Sequence, residues 1–124
     1  MRRLMLSFRY AADGLRYCFA TQRNMVIHLV VGIAVITLAF LLGLKRWELL
    51  LIITAVFAVL VVETINTAVE KMVDLVIEEH HKLARITKDV AAAAVLLTAG
   101  YAVLVGLLTL GPRLWGILIK LIHF

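Results

Sequence analysis

Residues 49–74 read LLLIITAVFAVLVVETINTAVEKMVD, and this stretch decides the fold. Its first half is apolar except for Thr54, whereas its second half carries carboxylates and an amide. No glycine or proline occurs between Leu44 and Gly100. A single long helix over residues 47–77 is therefore predicted, because nothing in this range breaks a helix. Its apolar part would cross a bilayer, and its polar part would continue into the cytoplasm.

Two further apolar spans flank this helix. Residues 25–44 contain His28 as their only ionisable side chain, and a helix of that length crosses a hydrocarbon core of about 30 Å. We interpret His28 as an anchor at the membrane boundary. Residues 89–110 form the third span, and the Gly-Pro pair that follows is expected to end it. Residues 111–124 are then predicted to be a tail at the membrane interface.

The composition agrees with an integral membrane protein. Hydrophobic residues make up 64% of the chain and charged residues 17%, and the mean hydropathy is +1.03. Soluble domains are about half apolar and about a quarter charged. The net charge of +5 does not indicate a nucleic-acid partner here, because the basic residues flank apolar spans and face anionic lipid. The single cysteine, Cys18, excludes a disulfide framework within one chain.

Residues 1–24 have the pattern of an amphipathic helix that lies on the membrane surface. Their apolar side chains recur at spacings of three and four, with arginines between them. The apolar positions are Leu4, Phe8, Ala11, Ala12, Leu15 and Phe19. The predicted fold is therefore an all-α membrane protein with one surface helix and three transmembrane helices.

The distribution of lysine and arginine predicts the orientation in the cell membrane. Residues 1–24 hold five of these side chains and residues 71–88 hold four. The loop at 45–46 and the tail together hold four. Because positive loops stay in the cytoplasm, the N-terminus and the second loop are predicted to be cytoplasmic.

The polar half of the long helix places its functional groups on one face. They recur at i, i+3, i+4, i+7 and i+11, which at 100° per residue form a single stripe. The stripe consists of Glu63, Asn66, Thr67, Glu70 and Asp74. Glu63 lies about 21 Å beyond Leu49 along the axis, still inside the hydrocarbon on its cytoplasmic side. Glu63 is therefore placed to meet the polar end of a lipid, and the other carboxylates are placed to meet a soluble molecule.

This stripe has two opposed interpretations. The carboxylates could pair with Lys71, Lys88 or the backbone and merely hold helices together. Ionisable groups inside a membrane are costly, however, and usually mark function. Carboxylates on one face also suit a hard cation such as Mg²⁺. We therefore interpret the stripe as a functional site, and the absence of a GxxxxGK[ST] motif means that any nucleotide is held in another way.

Several stretches of the chain resemble one family. Residues 63–74, ETINTAVEKMVD, are similar to the ExxNTAxExxxD signature of the prokaryotic diacylglycerol kinase and undecaprenol kinase family. Further similar stretches are SFRYAADGL at 7–15, Arg23-Asn24 with Ile27-His28, EEHHKLA at 78–84 and Lys88-Asp89. The resemblance implies a small homotrimeric membrane kinase that transfers a phosphoryl group from MgATP to a lipid hydroxyl at sites shared between subunits.

The resemblance also implies roles for single residues. Glu63 would be the general base on the lipid hydroxyl, and Asn66 would orient the reacting groups. Glu70 would bind the Mg²⁺ on the ATP phosphates, with Thr67 and Asp74 in support. The remaining implied ATP contacts are Lys88, Asp89, Arg3, Tyr10, Glu79, His80 and His81. This chemistry needs positioning and charge neutralisation, which such side chains supply.

Gln22 departs from the family pattern. The family usually has a glutamate immediately before the Arg-Asn pair, as a second metal ligand, and this chain has Gln22 there. An amide oxygen still ligates Mg²⁺, although without the negative charge. Gln22 is therefore predicted to share the metal with Glu70 and to contact ATP.

The predicted acceptor is undecaprenol, because the His-His pair and the Arg-Asn…Ile-His segment resemble the undecaprenol kinases. Diacylglycerol is the alternative acceptor, since apolar grooves discriminate weakly between lipids. A function of another class, a non-enzymatic proton or cation pathway, also uses intramembrane carboxylates. Lys88-Asp89 and the surface helix fit a nucleotide site better than a pore. A small helical assembly protein would leave the stripe unexplained.

Overall fold

The computed structural model describes residues 1–76 and 81–122 as four helices. Helix α1 covers Arg2–Thr21, α2 covers Arg23–Leu41, α3 covers Arg46–Val76 and α4 covers Lys82–Ile122. Within these described ranges there is no strand, and α2, α3 and α4 are long and apolar enough to span a membrane. The predicted class, a surface helix followed by three membrane helices, is confirmed.

The first two helices are separated by a single residue. Gln22 has an extended backbone, with φ −107° and ψ 107°, and its N–H donates a hydrogen bond to the carbonyl of Cys18 at 2.8 Å. Its side chain does not cap α2. The surface helix therefore ends at Thr21, slightly before the predicted boundary at residue 24.

The α2–α3 connection is fixed by a side chain from α4. Helix α2 ends in a turn at Gly43, whose φ of 62° is accessible to glycine at no steric cost. Arg113 of α4 donates to the carbonyls of Leu42 and Gly43 and pairs with Glu48 of α3 at 2.6 Å. One arginine thus caps α2 and joins it to both other spans.

The prediction that the Gly-Pro pair breaks the third helix is wrong. Helix α4 continues through Pro112 to Ile122 and begins at Lys82, so its 41 residues extend about 61 Å. A proline removes one backbone hydrogen bond and normally breaks a helix. Here the next residue, Arg113, is held by α2 and α3, and membrane helices tolerate proline when neighbouring helices support them.

Helix α3 is the central element, because it packs against each of the other three helices. Its contact with α2 is very close at Gly32, where an added Cβ would lie 2.5 Å from a methyl carbon of Val56. Small residues allow such close approach between membrane helices. Most other large apolar side chains are exposed, as is expected for surfaces that face lipid.

Replacing Gly32 with alanine is expected to destabilise the protein by about 1–3 kcal/mol, because a β-branched valine cannot rotate away freely. The matched control is Gly106→Ala on α4, where nothing lies within 4 Å of an added Cβ. Thermal unfolding in detergent should show a lower melting temperature for Gly32→Ala only. The double variant Gly32→Ala/Val56→Ala should recover the loss, and equal effects of both single alanines would contradict the close contact.

Candidate functional site

One face of α3 changes from apolar to polar along its length. The buried residues of this helix are Ile52, Ala55, Val59, Glu63, Asn66 and Thr67. They follow the helical repeat, so they lie on the side that faces α2 and α4. The predicted stripe is therefore the direct continuation of the face that packs the three spans together.

Glu63 is enclosed within a single chain. Only 2% of the residue is exposed, and no ion pair joins it to any residue of the described ranges. His28 on α2 lies within electrostatic reach of its carboxylate. A buried carboxylate without a partner is costly. Glu63 is therefore a candidate for a functional group rather than for a structural ion pair.

Asn66 and Glu70 form the next turn of the stripe. The Asn66 amide Nδ2 donates a hydrogen bond of 3.0 Å to Oε1 of Glu70, which fixes the orientation of the amide. Its Oδ1 atom is buried and has no hydrogen-bond partner in the described structure. Glu70 is half-buried and makes no ion pair with a described residue. Oδ1 of Asn66 therefore lacks a hydrogen-bond partner among the described residues, and the Glu70 carboxylate has acceptor capacity beyond its bond to Asn66.

Thr67 and Asp74 have partners within the protein. The Thr67 hydroxyl donates to the Glu63 carbonyl at 3.0 Å, so it acts on the helix backbone. Asp74 pairs with Lys71 at 3.4 Å and with Lys88 of α4 at 2.5 Å. Asp74 therefore fits the interpretation that the carboxylates only hold helices together through ion pairs. Glu63 and Glu70 form no ion pair with a described residue and do not fit it.

The two residues of α4 that are predicted to contact ATP, Lys88 and Asp89, already form ion pairs within the chain. Lys88 reaches Asp74, which brings it to the stripe. Asp89 forms an exposed pair of 3.8 Å with Arg85. His81 precedes α4, and its Nδ1 accepts a hydrogen bond of 3.3 Å from the N–H of Leu83, as in an N-cap. Glu79 and His80 lie outside the described residues.

The predicted contacts from α1 are not brought to the stripe within one chain. Tyr17 lies beside Lys71 and Cys18 is buried, so the C-terminal part of α1 lies against the C-terminal part of α3. Arg3 is exposed and lies about 21 Å from Tyr17 along the helix axis. Tyr10 is exposed as well. Gln22 is partly exposed at the junction of α1 and α2.

An apolar groove ends one helical turn from Glu63, on the side toward the N-terminus of α3. It has a volume of about 460 Å³ and lies between α2, α3 and α4. Its wall on α3 ends at Val59, one helical turn or about 6 Å before Glu63. Its wall on α4 extends to Leu114, close to the Arg113 cap.

His28 is the one polar side chain among the residues that line this groove. The sequence suggested an anchor at the membrane boundary, and the structure places His28 in the lining of the groove. His28 lies four residues before Gly32, so the two residues share one face of α2. Because Gly32 contacts α3, this spacing is the feature of the sequence that could have placed His28 between the helices.

The arrangement combines a chain-binding surface with a reactive end. An apolar chain fits the groove, and an unpaired carboxylate stands where its polar end would lie. The oxygen atoms of Asn66 and Glu70 continue along the same face of α3, toward its C-terminal end. Proton abstraction from a lipid and phosphate binding through a hard cation are the reactions that such groups support.

Comparisons with known proteins agree on one family. Residues 9–110 match the family model described as prokaryotic diacylglycerol kinase. The chain is 46% identical over 117 residues to the diacylglycerol kinase of Synechocystis, covering 94% of this chain and 67% of that protein. It is 35% identical over 114 residues to the undecaprenol kinase of Bacillus subtilis, covering 92% and 93% of the two chains. Identity to the diacylglycerol kinase of Haemophilus influenzae is 32% over 94 residues, covering 76% and 80%.

Proposed function

The chain belongs to the prokaryotic diacylglycerol kinase family and is a membrane lipid kinase, and from this premise we propose that it transfers the γ-phosphoryl group of ATP to the hydroxyl of undecaprenol. The observation that carries the proposal is Glu63, a buried and unpaired carboxylate at the end of an apolar groove. A lipid chain in the groove would present its hydroxyl to this carboxylate.

Glu63 acts as the general base in this proposal. The lipid oxygen forms a bond to the γ-phosphorus while its proton passes to Glu63, and the bond from that phosphorus to the bridging oxygen of ADP breaks. General bases of this kind contribute about 10²–10⁴-fold to rates. The enclosure of Glu63 supports the role, because water competes poorly for a buried carboxylate.

The lining of the groove favours undecaprenol. The hydroxyl is the only polar group of undecaprenol, so its hydrocarbon chain needs no hydrogen-bond partners in the groove. Diacylglycerol brings two ester groups close to its hydroxyl, and buried polar groups without partners are costly. Among the groove residues only His28 has a polar side chain to offer them.

Diacylglycerol remains the alternative acceptor. The relatives from Synechocystis and Haemophilus influenzae are diacylglycerol kinases, and the first is 46% identical to this chain. The hydroxyl of diacylglycerol would meet Glu63 in the same way. The two acceptors thus differ only in what surrounds the hydroxyl.

The decisive assay offers both lipids to the purified protein in mixed micelles with γ-labelled ATP. We expect label in both lipids, with a higher kcat/KM for undecaprenol. A higher kcat/KM for diacylglycerol would reverse the assignment of the acceptor. If neither lipid is labelled, although circular dichroism shows that the protein is folded, the role of Glu63 as a base on lipid hydroxyls would be contradicted.

The residues on the stripe fit Mg²⁺, which is proposed as the cofactor. This ion is usually held by one or two carboxylates together with substrate phosphates. The described residues contain no cluster of three acidic, cysteine or histidine groups, but Glu70 and the unpartnered Oδ1 of Asn66 supply oxygen donors. When bound, the ion would neutralise charge on the phosphoryl oxygens. Gln22 is proposed as a further ligand.

Replacing Gln22 with glutamate is expected to lower the Mg²⁺ concentration needed for half-maximal activity. Two unit charges 4 Å apart interact by roughly 4 kcal/mol at an effective dielectric of about 20, so the shift in the Mg²⁺ midpoint should be measurable even if most of this energy is cancelled. The side chain of Gln22 does not cap α2, which leaves it free to take this role. Activity is measured against free Mg²⁺ at saturating ATP and lipid. An unchanged midpoint would place Gln22 away from the ion.

The protein is proposed to act as a homotrimer with sites shared between subunits. Arg3 and Tyr10 are exposed in the single chain, and a neighbouring copy would let them reach a nucleotide. Large exposed apolar faces on the spans would support such contacts. Sedimentation of the purified protein in detergent is expected to give three chains per particle, and a monomer with full activity would contradict shared sites.

The proposed orientation places the N-terminus and the ATP contacts in the cytoplasm of the cell. The excess of lysine and arginine around residues 1–24 and 71–88 supports it. ATP is then available on the side of the membrane where Glu70 lies.

A further inference from the structure

His28 stands at the boundary between the groove and the catalytic carboxylate. It lines the groove from α2, and Val59 lines the same groove from α3. Glu63 follows Val59 by one turn on the same buried face of α3, so His28 of α2 lines the end of the groove from which Glu63 is one turn away. A molecule whose chain fills the groove would bring its terminal oxygen between them.

A hydroxyl oxygen has more capacity for hydrogen bonds than Glu63 alone satisfies. It carries one O–H donor and two acceptor lone pairs. In the proposed reaction the O–H points at Glu63 and one lone pair attacks the phosphorus. The second lone pair needs a donor, because it would otherwise be buried without a partner. An imidazole N–H is the one side-chain donor that the groove residues provide.

We propose that His28 donates a hydrogen bond to the hydroxyl oxygen of the lipid acceptor and thereby directs its remaining lone pair toward the γ-phosphoryl group. The inference rests on the proposed lipid phosphorylation and adds a positioning residue to it. The kind of ligand it recognises is a long-chain alcohol whose hydroxyl lies at the end of an apolar chain. His28 itself gains or loses no proton in the step.

The alternative is that His28 only fills space between the helices. A boundary anchor would face the headgroups away from the other spans. The side chain is instead half-buried on the face of α2 that carries Gly32, which contacts α3. A filling role predicts that side chains of similar size replace it without loss, whereas a positioning role requires a donor.

The test compares His28→Leu, which removes the donor, with His28→Asn and His28→Gln, which keep an N–H donor at two different distances from the helix backbone. We expect His28→Leu to lower kcat/KM for the lipid by about 10- to 30-fold, which corresponds to about 1.4 to 2 kcal/mol in the transition state. The KM for ATP should not change. At least one amide variant should recover most of the activity.

Thr37→Leu is the matched control, because it removes a polar side chain from the exposed side of the same helix. Its lipid and ATP constants should equal those of the unmodified protein. Melting temperatures in detergent of all variants show whether a loss of activity reflects unfolding.

Each outcome separates this inference from the proposed function. Full activity of His28→Leu would overturn the role of His28 while leaving lipid phosphorylation intact. Equal losses in the leucine and both amide variants, or a raised KM for ATP, would show a structural role instead. If the unmodified protein phosphorylates neither undecaprenol nor diacylglycerol, the proposed function itself fails.

Discussion

Replacing Glu63 with glutamine is expected to reduce lipid phosphorylation by about 10²–10⁴-fold, because an amide cannot accept the proton of the hydroxyl. The protein should still fold and insert, since glutamine keeps the shape of the side chain and removes a buried unpaired acid. Initial rates with undecaprenol at saturating ATP measure the effect, and the KM for ATP should change little.

Glu48→Gln is the matched control for this variant. It makes the same isosteric change on the same helix, about 22 Å away at the opposite end of the span. Glu48 pairs with Arg113, so the control is expected to lower stability but to retain activity in the folded protein. Near-normal turnover of Glu63→Gln would exclude Glu63 as the base. Equal losses in both variants would point to a general effect of charge.

Replacing Glu70 with glutamine is expected to lower activity by about 100-fold at limiting Mg²⁺, since a carboxylate ligand loses its charge. Raising the concentration of Mg²⁺ should restore part of the rate. The amide oxygen still accepts the hydrogen bond from Asn66, so the geometry of this turn is preserved. Activity as a function of free Mg²⁺ separates weaker cation binding from a slower chemical step.

A double variant that exchanges the side chains of Gln22 and Glu70 tests whether both bind the same ion. If Gln22 and Glu70 hold one ion, then Gln22→Glu/Glu70→Gln should bind Mg²⁺ better than Glu70→Gln alone. Asp13→Asn on α1 controls for net charge, because Asp13 is exposed and pairs only loosely with Arg16 at 3.9 Å. The control should leave the Mg²⁺ midpoint unchanged. A Glu70→Gln variant with a normal midpoint would remove Glu70 from the metal site.

Much of the fold follows from local properties of the chain. The spans are visible because about 20 apolar residues in a row have no stable place except a membrane. The face shared by Glu63, Asn66 and Glu70 follows from helical periodicity alone. The end of α4 could not be predicted in this way. Pro112 is a local signal for a break, and its effect is overcome by the contacts of Arg113 with distant residues.

The sequence by itself determined the class of the protein, its three spans and the stripe of polar groups, because hydropathy and helical repeat act over a few neighbouring residues. Only the tertiary structure decided which polar groups are free. Asp74 is paired with Lys88 across two helices, whereas Glu63 is buried without an ion pair to any described residue. The tertiary structure also brought His28 to the groove whose wall on α3 ends one turn before Glu63. These relations depend on how α2, α3 and α4 pack, and contacts between residues far apart in the chain leave no periodic signal in it.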